Sequence, residues 1–494
     1  MDYRTEAISA FEAGDHLRAI DLFTRAFNTC QSDYASGEAA AVISQIMDDK
    51  DRAVLLLEAV LKRAPSAESA RARLAKLLWS RQHFTRARHI LIPLGPESLR
   101  SLKLVNIFID SLIECRAYPE AAAALSNFSA DLKVDQRLWL LVKLQERMGD
   151  HAGVIVTTEF EPLELLSEKI LAALGRAHLS MGNLDEALKM FECVASQSQA
   201  ARTTTPEMSW SVGKLQHDRD LAAWLATRSN DVDVRDVAEQ RHRMLAAALL
   251  NQPKHGRIPF SGPISRELDW VGEIWHRPSI SWPGKAMSTR KDWAQVAETV
   301  RQDGLAVLDN YLCNEALLDL RRDLTEGAIW FNDGYEKGYL ATDLETGLAS
   351  ALLLKIISET HSILRSQFTN CAPSAAWAFK YGPQVQGVDP HADFSHLTLN
   401  LWLAPDDANK DQSTGGLVFW PKKAPHDASF FEYNSDAKWL NSLTNDAAPC
   451  NSVPHRCNRA ILFDSALLHA SDHIDFVDSH EMRRLNLTLA FGFR

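Results

Sequence analysis

The sequence predicts a multidomain α + β chain: an all-α array of helical repeats, followed by an all-β barrel or sandwich core with flanking helices. Three observations predict it. Small residues recur at a near-constant step through the first part of the chain, and short alternating runs crowd its last part. Between the two stands a Pro/Gly stretch, NQPKHGRIPFSGP, that reads as a linker. With 494 residues the chain exceeds one ordinary core, so two or three domains are expected.

Bulk properties exclude several classes. A net charge of −11 argues against general nucleic-acid affinity, which needs a basic face to displace counterions. The opening MDYRTEAISAFEAGDH lacks the basic-then-apolar pattern of a signal peptide, and no apolar run approaches the roughly 20 residues that span a bilayer. Cys30, Cys115, Cys193, Cys313, Cys371, Cys450 and Cys457 are odd in number and contain no CxxC pair. That fits reduced cytosolic thiols better than a disulfide framework or a zinc ribbon. A cytoplasmic protein with neither nucleic-acid nor membrane partners is expected.

The helical part is periodic. AISAFEAGDHLRAIDLFTRAF has a turn at Gly14-Asp15 and Ala19 five residues after the glycine. Ala53, Ala87 and Ala121 follow at steps of 34; turns at Gly149-Asp150 and Gly182-Asn183 put Val154 and Ala187 in the same place after steps of 33. In ALGRAHLSMGNLDEALKMFECVA the small residues fall where two antiparallel helices must approach closely. Over residues 3–198 this pattern resembles the tetratricopeptide repeat, whose period is about 34 residues. The resemblance implies a solenoid, residues 1–198, whose concave face is open to a peptide or protein partner. A scaffold wall without ligand is the alternative, and the oligomeric state is left open.

Residues 199–260 break the rhythm: SQSQAARTTTPEM reads as a loop, VRDVAEQRHRMLAAALL as a helix, and the linker follows. A second domain is expected over 261–494. DWAQVAETVRQDGLAVLDNYLCNEALLDLRRDL reads as helix, short strand at LAVLDNY, then helix, and LASALLLKIISETHSILRSQF as helix. The alternating runs SAAWAFKYG, HLTLNLWLAP, GGLVFWP, RAILFDS and RRLNLTLAFGFR read as strands.

The chemistry lies on those strands. In PHADFSHLTLNLWLAP, His391 and Asp393 are two residues apart at a strand edge, so both side chains point to one face. A surface His–Asp hydrogen bond would read the same. ILFDSALLHAS adds His469, 76 residues beyond Asp393. Two imidazoles and a carboxylate on neighbouring strands make a facial triad that leaves three metal positions open, which suits non-haem Fe(II). Structural zinc would want four closed ligands, usually including cysteine. In RRLNLTLAFGF, Arg484, Asn486 and Thr488 share one face, and Leu485, Leu487 and Leu489 the other. A guanidinium planted in an interior needs an anion, such as the far end of a dicarboxylate. Arg483 is the second candidate, and a surface salt bridge is the plain alternative for either.

Taken in order, FKYGPQVQGVDPHADFSHLTLNLWLAP, STGGLVFW, NRAILFDSALLHAS and RRLNLTLAFGF resemble the Fe(II)/2-oxoglutarate-dependent dioxygenases, particularly the prolyl-hydroxylase-like members. The resemblance covers about residues 300–494 and implies a double-stranded β-helix (jelly-roll) barrel. It implies His391, Asp393 and His469 as iron ligands and Arg484 as the clamp on the distal carboxylate of 2-oxoglutarate. Tyr381 matches a strand tyrosine that contacts the cosubstrate. Asn486 stands where relatives place a small hydroxyl, and the loop DHIDFVDSHEM lengthens the run from His469 to Arg484. Because Asp393 is present, hydroxylation rather than halogenation is implied. The expected reaction uses Fe(II), 2-oxoglutarate and O2 to hydroxylate a C–H bond of a peptide or protein, with release of succinate and CO2. A small-molecule or free amino-acid substrate, and a non-catalytic adaptor, are the alternatives. Of the lesser candidates, His396 reads as rim, Asp464 as a partner of a ligand histidine or a strand-end turn. Trp330, Tyr335 and Tyr339 read as a lid or as core, and Lys422-Lys423 as a solvated turn.

Overall fold

The computed structural model describes residues 2–204, 209–250, 252, 255–259, 268–288, 291–335, 338–382, 385, 387–425, 430–435, 440 and 449–494. The expected domain change at residue 260 lies outside them. By packing, the chain divides into two compact units: Met1–Met148 with His426–Ser435, and Gly149–Pro425 with Asp436–Arg494. No helix among the described residues is long and apolar enough to cross a membrane.

The first unit is built from consecutive antiparallel helices, beginning with Tyr3–Glu12, His16–Thr29, Tyr34–Ile46 and Lys50–Arg63. Asp15, Asp33 and Asp49 start three of them by accepting the backbone N–H of Arg18, Ser36 and Arg52 at 3.2, 3.2 and 3.0 Å. The repeat register is visible in the backbone. Gly14, Asp48, Gln82, Arg116, Gly149 and Gly182 all turn through the left-handed region, with φ of 78, 59, 59, 57, 76 and 83°. Each precedes by five residues the small residue singled out above, and Ala19, Ala53, Ala87, Ala121, Val154 and Ala187 are all 0% exposed. A side chain in that backbone region costs roughly 1–2 kcal/mol. At Asp48, Gln82 and Arg116 helix-ending hydrogen bonds accompany the turn: Asp49 N–H to Ser44 O, His83 N–H to Leu78 O and Ala117 N–H to Leu112 O, at 2.8, 2.9 and 2.9 Å.

In the second unit the helix Leu184–Thr204 runs through most of the expected loop SQSQAARTTTPEM. Nothing in SQSQAARTT breaks a helix; Pro206 is the first residue that disfavours one before it. A helix that the sequence reading missed, Val212–Arg228, pairs with Val232–Leu249. A short ladder joins β1 (Ser209–Ser211) to β2 (Arg257–Pro259).

The remaining strands are β3 (Leu305–Leu308), β4 (Tyr339–Asp343), β5 (Pro373–Tyr381), β6 (Leu397–Trp402), β7 (Leu417–Lys423), β8 (Asn451–Val453), β9 (Ala460–Asp464), β10 (Leu467–Ser471) and β11 (Leu485–Phe491). They make two antiparallel sheets, of order β3-β9-β6-β11-β5-β4 and β10-β7-β8, and among the described residues no ring of paired strands closes them into a barrel. The chain passes between sheets at the turn after β9, where Asp464 Oδ1 accepts the N–H of Ala466 at 2.9 Å.

The alternation of β6 and β11 acquires a meaning here. One face, Leu397, Leu399, Leu401, Leu485, Leu487 and Leu489, packs into a core with Leu352, Leu353 and Ile356 of the helix Ala351–Leu364. Leu179, Ala187 and Phe191, from the helices Glu168–Met181 and Leu184–Thr204, belong to the same core. Between the sheets, Trp402, Leu417, Phe419, Ile461, Phe463 and Leu467 form a second core. The other face of the large sheet carries Thr398, Asn400, Asn486 and Thr488, and these line a cavity. Both faces are therefore buried, and polarity marks the side that holds a site.

Candidate metal centre and its cavity

The segment before β6 and the strand β10 are stitched together at the two histidines. His391 N–H donates to His469 O and His469 N–H to His391 O, each at 2.9 Å. Asp393 N–H donates to Ser465 O at 2.8 Å, so the carboxylate is carried by the same pairing. His391 Nε2 lies 3.7 Å from Asp393 Oδ1, and His469 Nε2 3.7 Å from Asp393 Oδ2. One ligand atom from each of the three residues lies within 4.8 Å of the other two, the one such His/Cys/Asp/Glu group among the described residues.

The tautomers suit a cation. His391 Nδ1 lies 2.7 Å from Asp389 O and His469 Nδ1 2.9 Å from Leu467 O. Carbonyls only accept, so each Nδ1 carries a proton, and in the neutral imidazole the lone pair is then on Nε2, the nitrogen nearer Asp393. Burial pushes the His469 imidazole down to about 4; His391 adds to this and Asp393 opposes it. It is thus neutral near pH 7, as a ligand must be. Phe463 and Phe419 pack on its ring at 4.8 and 5.9 Å between centroids. Two imidazoles and one carboxylate, with no further His, Cys, Asp or Glu in the group among the described residues, are the donor set of an open octahedral site.

These three residues sit on the wall of a cavity of about 40 Å³ that Tyr381, Arg484 and Asn486 also line. Arg484 is 1% exposed, and among the described residues its acceptors are uncharged: Gly415 O at 2.9 Å, Gly416 O at 3.2 Å and Asn486 Oδ1 at 3.4 Å. Its guanidinium carbon stands 4.5 Å over the Tyr381 ring. A charge so deeply buried against neutral groups is costly, and an anion in the cavity would offset that cost. Arg483 points elsewhere, pairing with Asp220 at 2.6 Å and Asp478 at 3.5 Å. The longer loop between His469 and Arg484 is pinned rather than slack. Lys410 N–H bonds Asp475 O at 2.9 Å, Gly415 N–H bonds His473 O at 2.8 Å, and His480 Nε2 reaches Thr325 O at 2.8 Å.

The lesser candidates separate. Asp464 is a turn residue whose second oxygen takes Lys423 at 2.7 Å, so Lys423 is ion-paired and Asp464 does not orient a histidine. His396 bonds through its backbone to Phe491 O at 3.0 Å. Trp330 is core, fully buried, with its indole N–H on Leu324 O at 3.2 Å. Tyr335 and Tyr339 stack at 4.4 Å, and Tyr339 meets Phe379 at 5.1 Å and Tyr381 at 5.4 Å, extending the aromatic wall of the cavity. Sequence reading missed Thr398, which donates to Asp393 Oδ2 at 2.7 Å, and Asn400, which donates to Thr488 Oγ1 at 2.8 Å. Asn400 Oδ1 is buried and meets no donor among the described residues. Strand parity was the available signal, because both alternate with the core leucines of β6.

No protein-family model matches the chain, and no curated protein matches it. Among solved structures it is similar to a Pseudomonas putida prolyl-4-hydroxylase, at 14% identity and a TM-score of 0.27 over 42% of this chain and 98% of that one. HygX from Streptomyces hygroscopicus, solved with nickel and 2-oxoglutarate, is similar at 12% identity and a TM-score of 0.31 over 42% and 87%. A thermophilic TPR protein of Thermus thermophilus is similar at 17% identity and a TM-score of 0.15 over 48% and 96%. At these TM-scores the likenesses are loose.

Proposed function

We propose that residues 261–494 carry an Fe(II)/2-oxoglutarate-dependent hydroxylase site, on strands arranged as a double-stranded β-helix, and that the repeats recruit a peptide or protein substrate. The observation that supports this is the convergence of His391, Asp393 and His469 on one point of a cavity that also holds Arg484. Iron held by these three residues would supply O2 activation and C–H oxidation, coupled to conversion of 2-oxoglutarate into succinate and CO2.

The chain's own residues do the rest. The carbonyls of Asp389 and Leu467 hold the two imidazoles in the tautomer that presents Nε2. Arg484 takes the distal carboxylate of the cosubstrate, with the Tyr381 ring under its guanidinium. Trp377, Phe379, Tyr381 and Phe463 form apolar walls that keep bulk water from the reacting carbon. Among the described residues no second carboxylate joins the group of His391, Asp393 and His469, which would leave room at a bound metal for cosubstrate and O2.

Anaerobic protein given Fe(II) and 2-oxoglutarate is expected to show the weak visible charge-transfer band of the chelate, and His391→Ala to lose it. Wild type with no band and no succinate on admission of O2 would overturn the enzyme reading. A peptide substrate separates from a small one by truncation. The sheet core includes Leu179, Ala187 and Phe191, so the cut belongs before Gly149, not at the linker. Turnover that survives in 149–494 points to a small substrate; turnover of a peptide that is lost with residues 1–148 supports recruitment by the repeats.

A further inference from the structure

We infer that Thr398 is a positioning residue for the metal face, and that a buried chain of three hydroxyls, Ser395–Ser465–Thr398, aims the Asp393 carboxylate. This rests on the metal reading above. All three residues are 0% exposed. Thr398 Oγ1 lies 2.7 Å from Asp393 Oδ2 and 2.8 Å from Ser465 Oγ, and Ser465 Oγ lies 2.8 Å from Ser395 Oγ.

The carboxylate fixes the direction of every proton in the chain. An ionised Asp only accepts, so Thr398 must donate to it. Thr398 then has lone pairs alone to offer Ser465, which donates to it in turn. Ser465 accepts from Ser395, whose other neighbours, Leu397 O and Thr398 Oγ1, are both longer at 3.3 Å. Three donors in series therefore end on one oxygen of Asp393, and bonds so aligned polarise one another.

The chain also ties the two ligand-bearing segments to each other. Ser465 sits in the turn between β9 and β10, four residues before His469. Its carbonyl holds Asp393 N–H at 2.8 Å while its hydroxyl holds the Thr398 that grips the carboxylate. Lateral movement of Asp393 against His469 would break both bonds. Three buried hydroxyls are costly in a core unless each is satisfied, and this arrangement satisfies them while terminating on the one acid of the site. Thr398 touches no reacting atom and acts through Asp393.

The test is Co(II) binding to the full-length chain, by titration calorimetry and by the visible spectrum of the bound ion. Thr398→Val keeps the β-branched shape and removes only the donor; it is expected to weaken Co(II) about 10–100-fold and to alter the bound-ion spectrum. Thr398→Ser restores the donor and is expected to recover both, which a merely structural role would not require. Should Thr398→Val fail to fold, Ser465→Ala carries the test: it leaves the Thr398–Asp393 bond, removes its support, and is expected to weaken Co(II) by a smaller factor. Folded Thr398→Val or Ser465→Ala that binds Co(II) as wild type does would overturn the proposal and leave the metal reading standing. Wild type that takes up no Co(II) at all would overturn the metal reading itself.

Discussion

Two pairs of histidines, three of them buried and His391 half-buried, flank the same strand, β5, and their surroundings give them opposite uses. On the cavity side, with Phe379 and Tyr381, the His391 and His469 rings are 4.3 Å apart. Behind the strand, where Lys380 points, the His217 and His480 rings are 5.5 Å apart. The first pair shares the carboxylate of Asp393. The second also has an acid nearby, since His217 Nδ1 lies 3.0 Å from Asp218 Oδ1. That acid is already taken: Lys214 Nζ sits 2.6 Å from Asp218 Oδ2, and Lys380 Nζ is 3.3 Å from His480 Nε2. Burial, then the charges of Lys380, Lys214 and Arg483, hold the His217 imidazole far below its usual range. Burial and Lys380 do the same to His480. Two imidazoles brought together are common to both clusters; the charge of the third group decides whether they can receive a cation.

The sharpest way to break this contrast is to disarm each acid in turn. Asp393→Ala is expected to abolish measurable Co(II) uptake and succinate formation, while the buried Thr398 donor it leaves unpaired costs only about 1–3 kcal/mol of stability. Asp218→Asn is expected to do the reverse. It leaves the Lys214 ammonium buried without its carboxylate, at a cost of about 3–5 kcal/mol in urea unfolding, yet the folded fraction still binds Co(II) at wild-type affinity. If Asp218→Asn abolished metal binding in folded protein, the division of labour between the clusters would be wrong.

Next in size is the pair of adjacent arginines. Arg484→Met removes the cavity's buried cation and is expected to raise the KM for 2-oxoglutarate by roughly 10–100-fold, the worth of a charge-assisted pair. Arg483→Met loses ion pairs to Asp220 and Asp478 and is expected to leave that KM within about twofold. Equal effects from the two variants would remove the reason for placing the anion at Arg484.

Much of the candidate site was legible in the sequence because it rests on local parity. His391 and Asp393 share a face by spacing, and the alternation of RRLNLTLAF placed Arg484 with Asn486 and Thr488 on the cavity face. The helical register was legible through Ala19 and its successors, where close helix contact tolerates only small side chains. The turns were half legible: Gly14, Gly149 and Gly182 announce a left-handed residue, whereas Asp48, Gln82 and Arg116 adopt one where the residue type does not announce it and the helix-ending hydrogen bonds close around it. Lateral strand order was not legible, since alternation fixes which face a residue takes and not which strand lies beside it. For the same reason the second cluster was invisible. His217 and His480 are 263 residues apart, and only the pinned loop before Arg483 brings them together.

A smaller effect concerns Lys380 alone. Burial, reinforced by Arg483 and opposed by Asp220 and Asp218, holds its amine well below the usual lysine range. A base whose folded-state pKa is depressed costs stability at every pH below its unfolded value near 10.4, and the cost grows as pH falls until the folded-state value is reached. Lys380→Met keeps an unbranched chain of similar reach, and is expected to raise the unfolding free energy at pH 7 by about 1–4 kcal/mol with the Co(II) affinity unchanged. A fall in stability would mean that the contacts of the amine, to His480 and to the acids around it, stabilise the fold by more than its burial costs.

The smallest effect is the pH dependence of the second histidine pair, and its sign is fixed by the same linkage. His217 and His480 are held neutral when folded, whereas in the unfolded chain each takes a proton near pH 6.5. Below that value the unfolded state binds more protons than the folded state, so stability falls as pH falls. Between pH 7 and pH 6 each of the two contributes a loss of about 0.7 kcal/mol. Other buried histidines, His469 and His455 among them, are also depressed, so the wild-type slope alone does not isolate the pair. His217→Asn cannot titrate and retains a donor for Asp218. Urea midpoints for wild type and this variant at pH 7 and pH 6 therefore give the contribution of His217 by difference. A variant whose midpoint drops between the two pH values as far as that of wild type would show that His217 is already protonated in the folded protein, and the contrast between the two histidine pairs would lose its electrostatic basis.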